Sequence, residues 1–80
     1  MKRAMGLRTI QIGQACLKLL RSRKAVRLTD VIDVTGVPRS SVSKAMVVLG
    51  KAHVIERDGK HYHKGDSADD YEVWWREYGL

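Results

Sequence analysis

The chain has 80 residues, 15 Lys/Arg against 9 Asp/Glu, a formal net charge of +6, one cysteine and 44% hydrophobic residues. This predicts one small folded domain with a single core, and it excludes a disordered chain, an intramolecular disulfide framework and a membrane-spanning helix. The charge is uneven, with 14 Lys/Arg against 4 Asp/Glu in residues 1 to 64 and 1 against 5 in residues 65 to 80. A basic body with an acidic tail points to a polyanionic partner, nucleic acid ahead of an anionic membrane, with a merely solubilising surface as the alternative. Arg8, Gln11 and Gln14 interrupt the early apolar residues, so no secretory signal is expected. A soluble, cytoplasmic protein is the expectation.

The first helix is predicted from about Leu7 to Arg23. Projected at ~100° per residue, Gln11, Gln14, Lys18, Arg21 and Ser22 form one narrow polar face and apolar residues fill more than half the circumference. Such a helix needs two neighbours. Val26 and Leu28 alternate as a very short strand would. A second helix starts near Thr29 and stops at Gly36, which can take a left-handed backbone. Pro38 lacks an amide proton and is tolerated at a helix start, so Gly36-Val37-Pro38 reads as a tight turn into a third helix running to Lys51. Val42, Ala45, Met46 and Leu49 should face inward, and Arg39, Ser40, Ser43 and Lys44 outward. Next, VIERDGKHYHK reads as a hairpin turning on Asp58-Gly59. Ser67 then caps a last helix with Asp69 and Asp70 in its first turn.

A helix-turn-helix followed by a hairpin is the winged-helix arrangement. The fold class is therefore mainly α with a small β-hairpin wing and an additional C-terminal helix. The stretch LTDVIDVTGVPRSSVSKAMVVLGKAHVIERDGKHYHKG resembles the N-terminal DNA-binding domain of the IclR family of bacterial regulators, and more loosely MarR-type regulators. Arg27 departs from the Ser or Thr that many relatives use to cap the motif's first helix, and Ile32 from a common small alanine. The large effector-binding domain of that family has no counterpart, so no small-molecule effector is expected. The domain reading is a DNA-binding unit over residues 1–66 and an aromatic helix over 67–80.

A helix fits the major groove with its N-terminal residues nearest the bases, and Arg or Lys can bind guanine there. Arg39, Ser40, Ser41, Ser43 and Lys44 are thus the candidate recognition residues, where the resemblance also implies DNA contacts. Ser40 or Ser41, the latter above all, has a competing reading as a helix cap. Arg57, Lys60, His61 and Lys64 on the wing, with Arg27 before the motif, are candidates for phosphate or minor-groove contacts; a simply solvated wing is their alternative. His61 and His63 share a strand face, but no further ligand stands near, so neither a metal nor a cofactor is expected. Cys16 on the apolar face of the first helix reads as a small buried hydrophobe. No enzyme is expected.

Tyr71, Trp74, Trp75 and Tyr78 fall on one face of the last helix. They cover the first helix within the chain, form a homodimer seam with it, or meet a partner protein, and the first two can coexist in a tail exchanged between subunits. The resulting expectation is a sequence-specific double-stranded DNA-binding transcriptional regulator, a small repressor of the kind phages or mobile elements carry. Two alternatives are an accessory protein of replication or recombination, and a winged helix used for protein–protein contact.

Overall fold

A computed structural model describes residues 5–77. In chain order the elements are α1 (Leu7–Leu20), β1 (Val26–Arg27), α2 (Leu28–Thr35), α3 (Arg39–Lys51), β2 (Ile55–Asp58), β3 (His61–Lys64) and α4 (Ala68–Glu77). The three strands form one antiparallel sheet in the order β1-β3-β2. This is a winged-helix fold with a fourth helix appended. Tyr78, the last ring of the aromatic series, lies outside the described residues.

Local chemistry accounts for the helix-turn-helix. Gly36 takes φ +69° at the end of α2 and its amide donates to the Ile32 carbonyl at 2.8 Å. The Thr35 hydroxyl donates to the Val31 carbonyl at 2.7 Å and accepts from the Val37 amide at 3.2 Å, so it holds the turn from the side. Pro38 is the N-cap of α3, with φ −57°. Its carbonyl accepts from the Ser41 and Val42 amides, both at 3.0 Å.

Three boundaries differ from the expectation. α1 stops at Leu20 rather than Arg23, because the amides of Ser22 and Arg23 both turn back to the Leu19 carbonyl. Leu28 opens α2 instead of extending the strand, since the Asp30 carboxylate accepts from the Arg27 amide at 2.9 Å and starts the helix there. Arg27 has only donors on its side chain, so the reciprocal half of a capping box is chemically closed to it. The hairpin turns on Gly59-Lys60 rather than Asp58-Gly59, because Asp58 pairs with His61 in the ladder. Gly59 has φ +63° and Lys60 does not share the positive φ, the pattern of a turn with glycine at its first central position.

The core lies between α1, α2, α3, the sheet and α4. Ile12, Cys16, Val26, Val31, Val42, Leu49, Val54 and Ile55 are fully buried. The wide apolar arc of α1 is shared between α3 on one side and α4 on the other. Tyr71 and Trp75 of α4 are buried, Trp74 is half-buried, and the Tyr71 ring meets Trp74 edge-on at 4.9 Å. Gly13 makes the α1–α4 approach possible: a Cβ there would sit 2.5 Å from the Trp75 ring and 3.0 Å from Leu49. The Cys16 thiol lies 3.5 Å from the Met46 sulfur, and burial pushes its pKa up to about 12, which leaves it without nucleophilic character.

The C-terminus of α3 carries strain. His53 has φ +62°, while the Val54 amide donates to Leu49 at 3.0 Å and the His53 amide to Gly50 at 3.1 Å. These are the two bonds of a Schellman end, with histidine where glycine is usual. A left-handed non-glycine costs roughly 1–2 kcal/mol, of which glycine's larger unfolded-state entropy would take back part. His53→Gly is therefore expected to raise the melting temperature by a few degrees. A thermal melt showing no gain, or a loss, would mean the histidine side chain stabilises the turn.

Candidate nucleic-acid interface

Sheet register decides which wing residues can share a surface with α3. Val26, Tyr62 and Arg57 stand opposite one another across the three strands and point to one side, the side on which Val26 and Ile55 enter the core. Arg27, His61 and Asp58 form the next row and point to the other. Arg57 and Tyr62 therefore face α3. His61 does not; it accepts a weak hydrogen bond from the Arg27 guanidinium at 3.4 Å instead.

Between α3 and the wing lies a cleft of about 300 Å³. Arg39 lines it from the first turn of α3, Arg57, Lys60 and Tyr62 from the wing, and Arg27, Leu28 and Thr29 from the start of α2. The Arg57 Nε–H donates to the Gly59 carbonyl at 2.9 Å, which fixes the guanidinium at the wing tip. Three cations, Arg39, Arg57 and Lys60, thus converge on one opening, and Arg27 borders it with its guanidinium turned to His61.

Ser40, Ser43 and Lys44 are exposed along the outward side of α3, and Ser41 is half-buried. No side chain caps this helix, so the capping reading of Ser40 or Ser41 does not apply. The first amides of α3 are left facing outward beside Arg39, where a helix start favours an anion. At ~100° per residue the outermost stripe of α3 is Ser40, Lys44, Val47 and Lys51. Val47, Lys51, Thr29 and Tyr62 were not among the sequence candidates. The helical projection carries the first two, while the other two depend on strand and helix placement.

Lys64 is set apart from the cleft. It lies at the base of β3, pairs with Asp69 of α4 at 2.7 Å, and has its pKa raised by that hydrogen bond and charge. Arg21 pairs with Glu72 at 2.6 Å and Arg23 with Asp30 at 3.5 Å. Among the described residues, Arg27, Arg39, Lys44, Arg57 and Lys60 form no ion pair. Asp69 and Glu72 of α4 are therefore matched to cations at the wing base and on α1, away from the α3–wing cleft. Among the described residues no three or more His, Cys, Asp or Glu are grouped to hold a metal, and no helix is long and apolar enough to cross a membrane.

No family model matches the chain, and no curated protein matches it. Among solved structures it is similar to the solution structure of a DNA binding protein from Sulfolobus islandicus, with a TM-score of 0.57 and 22% identity over 69% of this chain and 93% of that one. At that identity the likeness is one of fold.

Proposed function

We propose that the chain binds double-stranded DNA through α3 and the β2–β3 wing, and acts as a sequence-specific transcriptional regulator that represses by occupying its operator. The observation that carries this reading is the group of three cations, Arg39, Arg57 and Lys60, which have no acidic partner among the described residues and line one cleft beside an exposed helix start. A phosphate backbone is the ligand that such a field attracts most strongly. The similar Sulfolobus structure is itself described as a DNA binding protein, which supports the same ligand class here. The TGVPRSSV motif and the following hairpin keep the IclR-like reading as the finer assignment, and a small repressor of phage or mobile-element type fits it.

The roles divide by position. α3 enters the major groove, with Arg39 and Lys44 at base edges and Ser40, Ser41 and Ser43 close to bases or phosphates. Arg57 and Lys60 hold the backbone across the cleft, and Arg27 does so from the start of α2. Arg39→Ala is expected to lower discrimination between duplexes, with about 1–3 kcal/mol of preference lost at one position. Lys60→Ala should weaken all duplexes alike and reduce the salt slope by about one contact. Gel-shift titrations at several salt concentrations, on duplexes selected from a random pool, measure both. Unchanged affinity in both variants removes this face from the interface.

One recognition helix reads only a few base pairs, so a homodimer through α1 and α4 on an inverted repeat completes the reading. Tyr71 and Trp75 already cover α1 within the chain, and the half-buried Trp74 lies at the edge of that contact. Light scattering at micromolar concentration should give twice the mass of one chain. A monomer mass on its own and on the selected duplex would rule the dimer out.

A further inference from the structure

We infer that Val47 reads the methyl group of a thymine in the major groove, in a pocket that α3 shares with the wing. The inference rests on the DNA-binding reading above and adds a base preference to it. Val42, Ala45, Met46 and Leu49 turn inward and are buried, whereas Val47 on the opposite stripe is 56% exposed. Its stripe neighbours, Ser40, Lys44 and Lys51, are all polar and exposed. A branched aliphatic side chain there adds nothing to helix propensity and does not serve the core.

A lone exposed valine is common; this one is not alone. Val47 lines a second cleft of about 260 Å³ together with Met46, Gly50 and Tyr62, and the cations Lys51 and Arg57 complete its lining. Arg57 and Tyr62 also line the cationic cleft, so the two openings are neighbours. An apolar floor framed by positive charge suits an apolar group carried on a polyanion. It does not suit an apolar peptide. On the base edges of the major groove the thymine methyl is the apolar group available. Gly50, one turn beyond Met46, leaves open space above the floor, with nothing within 4 Å of where a Cβ would stand.

The spacing is compatible with one docked helix. Seven residues separate Ser40 from Val47, roughly 10 Å along the axis at ~1.5 Å per residue. Because the helix lies inclined to the duplex axis, that distance spans at most about three base steps at ~3.4 Å each. The thymine should therefore lie within about three base pairs of the base read by the first turn of α3.

The test replaces each thymine of the selected duplex in turn by deoxyuridine, which removes only the methyl. The wild-type protein should lose about fourfold in affinity at one position per half-site, the worth of burying one methyl. Val47→Ser should bring the thymine-to-uracil ratio at that position to about one, while Val47→Ile should keep it; thermal melts confirm that both variants fold. A protein that selects a duplex but tolerates every uracil, or a uracil penalty that Val47→Ser leaves intact, overturns this inference alone. A protein that selects no duplex overturns the DNA reading with it.

Discussion

Glutamate at both Arg39 and Arg57 is expected to weaken binding to every duplex on the order of a hundredfold or more at physiological salt. Losing the Arg57–phosphate contact forfeits a counterion release worth about 1 kcal/mol under those conditions, and losing Arg39 removes its positive charge together with a base contact worth about 1–3 kcal/mol. Two carboxylates then face the phosphates in the same cleft, and like charges set together add a further penalty. Both side chains line one opening, and Arg57 is held there by its hydrogen bond to Gly59. The control is Arg21→Glu with Arg23→Glu, which changes the net charge equally. Those two arginines are matched to Glu72 and Asp30 away from the cleft, so the control should cost far less. Equal losses in the two doubles would mean that overall charge, not the α3–wing cleft, governs binding. Fluorescence anisotropy on one selected and one scrambled duplex measures all four affinities.

Trp75→Ala is expected to leave the chain largely unfolded at physiological temperature. Trp75 is 2% exposed, lies against Gly13 and has its ring tilted 54° to the Tyr71 ring at 5.8 Å. Truncating a buried aromatic costs roughly 3–5 kcal/mol, and a domain this size has about 4–12 kcal/mol in total. Gly13 gives the same contact from the other side. Alanine at an interior helix position normally gains about 1 kcal/mol over glycine. Here its Cβ would meet the Trp75 ring at 2.5 Å, so Gly13→Ala should destabilise instead. In a Trp75→Leu background, which keeps apolar bulk so that the chain still folds, the penalty should shrink, because the ring is gone and only the Leu49 contact at 3.0 Å remains. Circular dichroism melts of the four proteins test the pair as a cycle. A Gly13→Ala effect that is the same in both backgrounds would mean that the helices do not meet at this point.

Most elements were legible because their signals are local. Gly36 with its positive φ, Pro38 at the next helix start and the inward spacing of Val42, Ala45, Met46 and Leu49 are consequences of backbone sterics within a few residues. The boundaries that moved did so for equally local but less visible reasons. Asp30 captured the Arg27 amide, and the ladder pairing of Asp58 with His61 pushed the turn on by one residue. Both depend on which of two adjacent residues wins a hydrogen bond, and periodicity does not resolve that.

The candidate site was legible as a list of cations and hydroxyls, but not as a surface. Nothing in GKHYHKG separates Lys60 from Lys64, yet one lines the cleft and the other is paired with Asp69. Nor does the alternation alone show that Tyr62 faces α3 while His61 turns away, since that requires the partner strand and its register. A one-residue slip would have exchanged them.

From the order of residues alone follow the four helices, the tight turn, the hairpin and the basic body with its acidic tail, because each is written in neighbours a few positions apart. Tertiary structure alone decided where the acidic groups are matched and where positive charge is left over. Arg21 meets Glu72 from 51 residues away, and Gly13 makes room for Trp75. Such pairings depend on how distant segments are brought together in space. A Coulomb field is a sum over those positions, so it takes its shape only once the chain has folded.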